Sequence, residues 1–246
     1  MILLNHDLKA IYIHVPKCGG IYVAEILIQF YNFIPLIRCY HCDKPPIINS
    51  YFFEDKIILN VIKDGIVKTA QNLLPDTVWS TYTKFTFVRN PYERALSGYL
   101  FSKKTYDDVG MHSQINLDHP GINIFENMNN VFKYMSIAFP DFYYHTMLSQ
   151  SHHLLNKNNE IDVNHIYNFD NIDGGLNEIL CILGVTNIQL HENMPKQNAT
   201  IKEHHITYYF DDETINYINT MCETDFINFN CKKFENKDEM MKYYNC

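Results

Sequence analysis

The stretch Ala10-Ile11-Tyr12-Ile13-His14-Val15-Pro16-Lys17-Cys18-Gly19-Gly20 decides the fold. Its opening, Ala10–Val15, is short, β-branched and nearly all apolar, as a strand buried on both faces of a parallel sheet must be. Pro16 and the glycine pair then break the strand, and apolar residues recur at helical spacing over Ile21–Phe33. Strand, glycine turn, helix is the opening of an α/β fold. At such a turn the backbone N–H groups are free to face an anion, reinforced by the positive end of the helix dipole. Lys17 adds a full charge beside them. A Walker A loop places its lysine after the last glycine and follows it with Ser or Thr. Here Lys17 precedes Gly19 and Gly20, and Ile21 follows them, which disfavours an ordinary nucleoside-triphosphate site.

Working outward, the pattern predicts a strand at Ile57–Val61, a helix ending near Leu74 before Pro75, and a strand at Lys84–Val88. Asn90 and Pro91 then offer an N-cap and a first-turn proline for a helix running to about Lys103. The polar stretch Thr105–Gly121 reads as a mobile loop over a site. Helical patterns return at Ile124–Ala138 and Phe142–Ser149. Asn156–Glu160 reads as a surface turn, His165–Phe169 as a strand, Ile172–Leu183 as a helix closed by Gly184, and Asp212–Glu223 as the final helix. Strands alternating with helices imply a P-loop-like three-layer α/β fold, with a central parallel sheet flanked by helices.

A chain of 246 residues with 46% apolar content can bury one substantial core, so residues 1–246 are read as a single domain. The net charge of −8 argues against nucleic acid or highly sulfated polymers as partners, which need wide basic surfaces. It leaves room for a small anion in a local basic pocket. No apolar run reaches the roughly 18 residues of a membrane span. Met1–Asp7 lacks the basic region and cleavage site of a signal peptide. The odd number of cysteines, seven, fits free thiols in a reducing compartment, and the expected location is cytoplasmic.

The second chemical feature is Phe87-Val88-Arg89-Asn90-Pro91-Tyr92-Glu93-Arg94-Ala95-Leu96-Ser97-Gly98-Tyr99. Arg89 stands at the carboxyl end of a strand, where open parallel sheets bind ligands, and its fork holds phosphate bidentately. Ser97, two turns into the following helix, is placed to donate a hydroxyl to the same group. Two anion sites on neighbouring strand ends suit a nucleotide phosphorylated at both the 5′ and 3′ positions.

The pair of motifs resembles the carbohydrate-type (type 2) sulfotransferase family, whose first loop is typically HIPKTGGTS and whose second is RNPYERLVSAY. Further segments are similar to family members: Leu73–Trp79 ahead of the KFTFVRNP strand, His165–Leu183, and Glu223–Phe229 against a terminal Y-x-x-D-F-x-x-F element. The resemblance implies 3′-phosphoadenosine-5′-phosphosulfate (PAPS) as donor, with 3′-phosphoadenosine-5′-phosphate (PAP) as product, and no required metal. It implies an acceptor carrying a free hydroxyl, in the first instance a saccharide. Lys17, Cys18, Gly19, Gly20, Ile21 and Tyr22 would form the 5′-phosphosulfate loop, and Arg89 and Ser97 would bind the 3′-phosphate. Lys17 would neutralise the bridging oxygen, and Asp64 is the first candidate for the base that takes the acceptor proton, with His112, His119 and His145 behind it.

The chain departs from the family pattern in its first loop and at Asp64, which stands where compact relatives often have a histidine. Ile21-Tyr22 stands where the family has Thr-Ser, and Cys18 stands for the preceding Thr. Hydroxyl contacts to the donor would be lost, leaving backbone amides and Lys17. A degenerate, non-catalytic nucleotide-binding relative is therefore an alternative, as is a P-loop kinase. Arg94 reads as structural, His14 as a core histidine, and Asp64 equally as a helix N-cap. His152-His153 and His204-His205 read as surface pairs. Cys39-Tyr40-His41-Cys42 is half of a zinc site without a second half. Lys196 is a weaker nucleotide-contact candidate.

Overall fold

The computed structural model describes residues 1–37, 64–109, 127–132, 149–188 and 204–244. In chain order its elements are β1 (Ile2–Asn5), β2 (Ala10–Ile13), α1 (Gly20–Tyr31), β3 (Ile34–Ile37), α2 (Ile66–Leu73), α3 (Asp76–Thr81), β4 (Thr83–Val88) and α4 (Pro91–Val109). There follow α5 (Gln150–Leu154), β5 (His165–Asn168), α6 (Ile172–Ile182), α7 (Asp212–Met221), α8 (Glu223–Asn228) and α9 (Lys237–Tyr244). The chain divides into two compact units, Met1–Arg89 with Gln150–Gln197 and Asn90–Ser149 with Asn198–Cys246.

The first unit holds a five-stranded sheet of order β3-β1-β2-β4-β5. β2, β4 and β5 are parallel, with Ile13 paired to Thr86 and Val88 to Asn168. The carboxyl ends of these strands therefore lie side by side at one edge. β1 runs antiparallel to both of its neighbours, β2 and β3, so one reversed strand interrupts the parallel sheet that the sequence pattern implied. The cause is local. Asn5 Oδ1 accepts the Leu8 N–H at 2.7 Å, Lys9 takes a left-handed φ of 48°, and the chain doubles back as a hairpin. On one sheet face Leu3, Tyr12, Phe85 and Phe87 pack with residues of α1 and α6 in a single apolar cluster. The strand residues of opposite parity, Leu4, Ile11, Ile13 and Thr86, are buried too. Both faces are thus covered. Each fully buried Phe or Leu contributes about 1.5–3 kcal/mol, and β4, between β2 and β5, carries Phe85 and Phe87.

The second unit is helical among the described residues. Asn90 Oδ1 accepts the Tyr92 N–H at 3.0 Å, the N-cap expected from Asn90-Pro91, and α4 runs six residues beyond Lys103 to Val109. Tyr92, Leu96, Phe132, Phe210, Phe226 and Phe234 form its core. Arg94 is buried there, as its structural reading anticipates. Burial pushes the Cys222 thiol up to about 12, Asp225 pushes the same way, and the Arg94 guanidinium pulls against both.

Several expectations shift. The helix from Asp212 ends at Met221, because Cys222 leaves helical geometry at φ −112° and ψ 21°. Two further helices, α8 and α9, follow it. Phe169 leaves β5 to open a 3-10 turn over Phe169–Asn171. Residues 105–109 are helical, and 110–121 lie outside the described residues. So do the strand expected at Ile57–Val61, most of the helices expected at Ile124–Ala138 and Phe142–Ser149, Cys39 to Cys42, His112, His119, His145 and Lys196. Within Ile124–Ala138, residues 128–132 are helical. The pair His152-His153 is not on the surface: His153 is fully buried, because α5 packs inward. No described helix is long and apolar enough to cross a membrane.

Candidate active site

The residues singled out in the sequence lie chiefly at the shared edge of β2, β4 and β5. After Ile13 the chain turns through His14–Gly19, with Lys17 at φ 65° and Gly19 at φ 72°. Left-handed residues reverse the backbone sharply, and Gly19 serves as the N-cap of α1 without any side-chain bond. The first helical bond closes from the Val23 N–H to the Gly19 carbonyl at 3.2 Å. The amides just ahead of Val23 have no acceptor within the helix, which is the general condition of a helix N-terminus.

Both glycines are required by close approach. A Cβ on Gly19 would stand 2.6 Å from Cε2 of Phe169 and 2.9 Å from Cδ1 of Ile172. A Cβ on Gly20 would fall inside the His14 imidazole. His14 therefore has a stated place: its ring lies over the loop and stacks on Tyr12 at 6.3 Å between centroids.

Arg89 follows β4 directly. Its guanidinium lies over the Phe169 ring, with Cζ 4.4 Å from the centroid. The same ring packs on Gly19, so Phe169 stands between the glycine turn and the arginine. Gln150, fully buried at the start of α5, makes a second link. Its Oε1 accepts the Arg89 N–H at 2.8 Å and the Cys18 thiol at 3.1 Å. Its Nε2 donates to the Arg89 carbonyl at 2.7 Å.

The Cys18 side chain thus points inward to Gln150. Tyr22, where the family pattern has a small hydroxyl residue, donates its hydroxyl to Asp173 Oδ1 at 2.9 Å. Burial and the Asp173 carboxylate push the Tyr22 hydroxyl up to about 12. Ile21 is half-buried in the first turn of α1.

Asp64 does not cap a helix; Gly65, at φ 82°, holds the N-cap position of α2. Gly65 lies against α5 so closely that a Cβ would fall on the His152 carbonyl oxygen. Asp64, half-buried, is thereby beside the helix whose first residue is Gln150. Ser97 is half-buried on α4 in the second unit. Among the described residues there is no group of three or more side chains able to hold a metal ion.

Gln150 and Phe169 are the site residues that sequence reasoning missed. Gln150 lies 132 residues from Cys18, and no local pattern marks a buried amide. Phe169 was legible only as the last residue of a strand.

With this geometry in view, the family comparison is decisive. The model of the sulfotransferase family matches residues 1–244. The chain belongs to the sulfotransferase family. No curated protein and no solved structure matches it. Family membership makes sulfuryl transfer, from a sulfate donor to an acceptor hydroxyl, the general chemistry of the chain. The match runs through both compact units.

Proposed function

We propose that this sulfotransferase takes its sulfuryl group from PAPS and delivers it to a hydroxyl of a saccharide, with residues 1–246 acting as one domain. The observation that carries the reading is the pairing of the Lys17 loop with the Arg89 strand end, held together by Phe169 and Gln150. Two cationic side chains at adjacent carboxyl ends of parallel strands suit a ligand with two separated phosphates.

The residues present fit such a donor. The start of α1 offers backbone amides uncapped by any side chain, and Gly19 and Gly20 bring no side chain of their own to it. The donor supplies an activated sulfuryl group and a phosphate leaving group. Lys17, with the amides of Cys18 to Tyr22, holds the 5′ end and neutralises charge growing on the leaving oxygen. Arg89, steadied on Phe169, takes the 3′-phosphate, and Ser97 adds a hydroxyl. Asp64 removes the acceptor proton. A metal is not part of this scheme. The odd number of cysteines, seven, supports a reducing compartment such as the cytoplasm.

One observation favours a second reading. The Tyr22 hydroxyl is engaged with Asp173, so the loop offers the donor fewer hydroxyl contacts than the family pattern, as a non-catalytic nucleotide binder would. Titration calorimetry with PAP and with ATP, followed by radiolabelled sulfate transfer to a panel of saccharides, separates the readings. Binding of PAP with transfer that Lys17→Ala abolishes, in a folded variant, is the expected result. PAP binding without transfer to any acceptor favours the non-catalytic reading. Binding of ATP alone would overturn the donor assignment.

A further inference from the structure

Gln150 is fully buried, and both ends of its amide are engaged. Oε1 and Nε2 pair with the N–H and carbonyl of Arg89 at 2.8 and 2.7 Å, as a peptide group on a neighbouring strand would. Arg89 lies one residue past the end of β4, where the ladder to β5 stops at Val88 and Asn168. The side chain thus continues the sheet's pairing by one residue. The same Oε1 takes the Cys18 thiol at 3.1 Å, and Cys18 lies between Lys17 and Gly19. A single buried amide therefore spans the two segments that carry the cationic groups.

We propose that Gln150 is a positioning residue that fixes the separation between the Lys17 loop and Arg89, and so selects ligands bearing two phosphates at the matching distance. The inference rests on the donor-binding reading above. A ligand gripped at both ends gains from having its second site already in place. A ligand gripped at one end does not. Loss of Gln150 should then penalise PAP far more than 5′-AMP, whereas a residue that merely holds the fold together would penalise both alike.

The test measures PAP and 5′-AMP affinities by calorimetry for wild type, Gln150→Met, Cys18→Ala, Cys18→Ser and the Gln150→Met/Cys18→Ala double variant. Circular dichroism melts verify folding. Gln150→Met should weaken PAP about tenfold, the scale of losing two or three hydrogen bonds, and 5′-AMP less than about twofold. Cys18→Ala should weaken PAP by a smaller factor, and Cys18→Ser, which keeps a donor toward Oε1, should recover part of that loss. In the double variant Cys18→Ala should add nothing, since its partner is already gone. An equal loss on both ligands, or additive losses in the double variant, overturns the proposal. If Gln150→Met does not fold, the Cys18 pair decides: a PAP to 5′-AMP ratio unchanged by Cys18→Ala refutes it. Failure of the underlying reading shows separately, as a wild-type protein that does not bind PAP.

Discussion

Replacing Gly19 by alanine asks the loop for two things at once. The residue holds φ 72° and ψ 14°, a conformation that costs a residue with a Cβ about 1–2 kcal/mol. The new methyl also arrives 2.6 and 2.8 Å from two carbons of the Phe169 ring and 2.9 Å from Cδ1 of Ile172, well inside ordinary contact. Overpacking of this kind costs about 1–3 kcal/mol, and the smaller entropy of the unfolded alanine chain returns about 0.4–1 kcal/mol. The net expectation is a loss of about 2–4 kcal/mol. Gly184 supplies the control. It holds φ 81° with no atom within 4 Å of its Cβ position, so Gly184→Ala carries only the backbone cost, about 1 kcal/mol after the entropy return. Urea unfolding followed by the fluorescence of Trp79, the single tryptophan, reads the first unit directly. At a slope near 2 kcal/mol per M the two midpoints should differ by about 0.5–1.5 M. Because the displaced ring is the one beneath Arg89, PAP affinity should fall in Gly19→Ala and hold in Gly184→Ala. Equal midpoints for the two variants would refute the placement of Phe169 against the turn.

Lys17→Gly should leave the protein as stable as wild type or about 0.5 kcal/mol more so, since glycine relieves φ 65° at some entropic cost. PAP binding should meanwhile drop by at least about tenfold. Thermal melts and calorimetry check both halves, and a destabilised variant would count against strain at this position. Asp162→Ala removes the acceptor of Trp79 Nε1 at 2.8 Å and Gln71 Nε2 at 3.1 Å and the ion-pair partner of buried Lys84 at 3.5 Å. It should cost about 3 kcal/mol, read by the same fluorescence, and a loss under about 1 kcal/mol would show the network to be idle. Asp211 caps α7 by accepting the Thr214 N–H at 2.7 Å. Burial alone would raise its carboxyl, but the hydrogen bonds from Thr214 and the nearby Lys237 outweigh burial and hold it below the usual range. Its contribution is therefore present above the unfolded value, near pH 4, and is lost as pH falls through the lower folded value. Asp211→Ala should cost about 1 kcal/mol at pH 7, with the gap to wild type closing in acid; a gap constant from pH 7 to pH 2 would refute the assignment.

Local chemistry made part of this fold legible. Ala10–Ile13, the glycine turn and α1 appear where the run of apolar residues and the break at Pro16 put them. Asn90 caps α4 as its side chain predicts. What escaped left little periodicity to read or was decided at long range. β1 and β3 have four residues each, too few to show a period, and every residue of β1 is buried, so no alternation betrays an antiparallel strand. The turn chemistry at Asn5 was the available signal. His153 looked like half of an exposed pair because burial is a property of how α5 packs, not of its composition. Gln150 carried no signal at all: its partners, Cys18 and Arg89, lie 132 and 61 residues away.

The departures at Cys18 and Tyr22 acquire a common physical meaning once their partners are known. In the resemblance, positions 18 and 22 would offer hydroxyls to the donor. Here the Cys18 thiol is turned to Gln150 and the Tyr22 hydroxyl to Asp173, one on each side of the glycine pair. Gly19 is pressed on Phe169 and Gly20 lies under His14. The turn is therefore braced at four consecutive or near-consecutive positions, by residues from a neighbouring strand end, two helices and the strand that precedes it. A loop held this way loses less conformational entropy when it closes on an anion, and preorganisation of that kind supports affinity with fewer direct contacts. On the proposed reading the backbone amides and Lys17 supply the attraction, and the Cys18 and Tyr22 side chains supply the rigidity. Loosening a brace such as Tyr22–Asp173 should then weaken donor binding although neither residue's side chain is needed at the ligand, whereas restoring a hydroxyl at position 22 alone should not improve it.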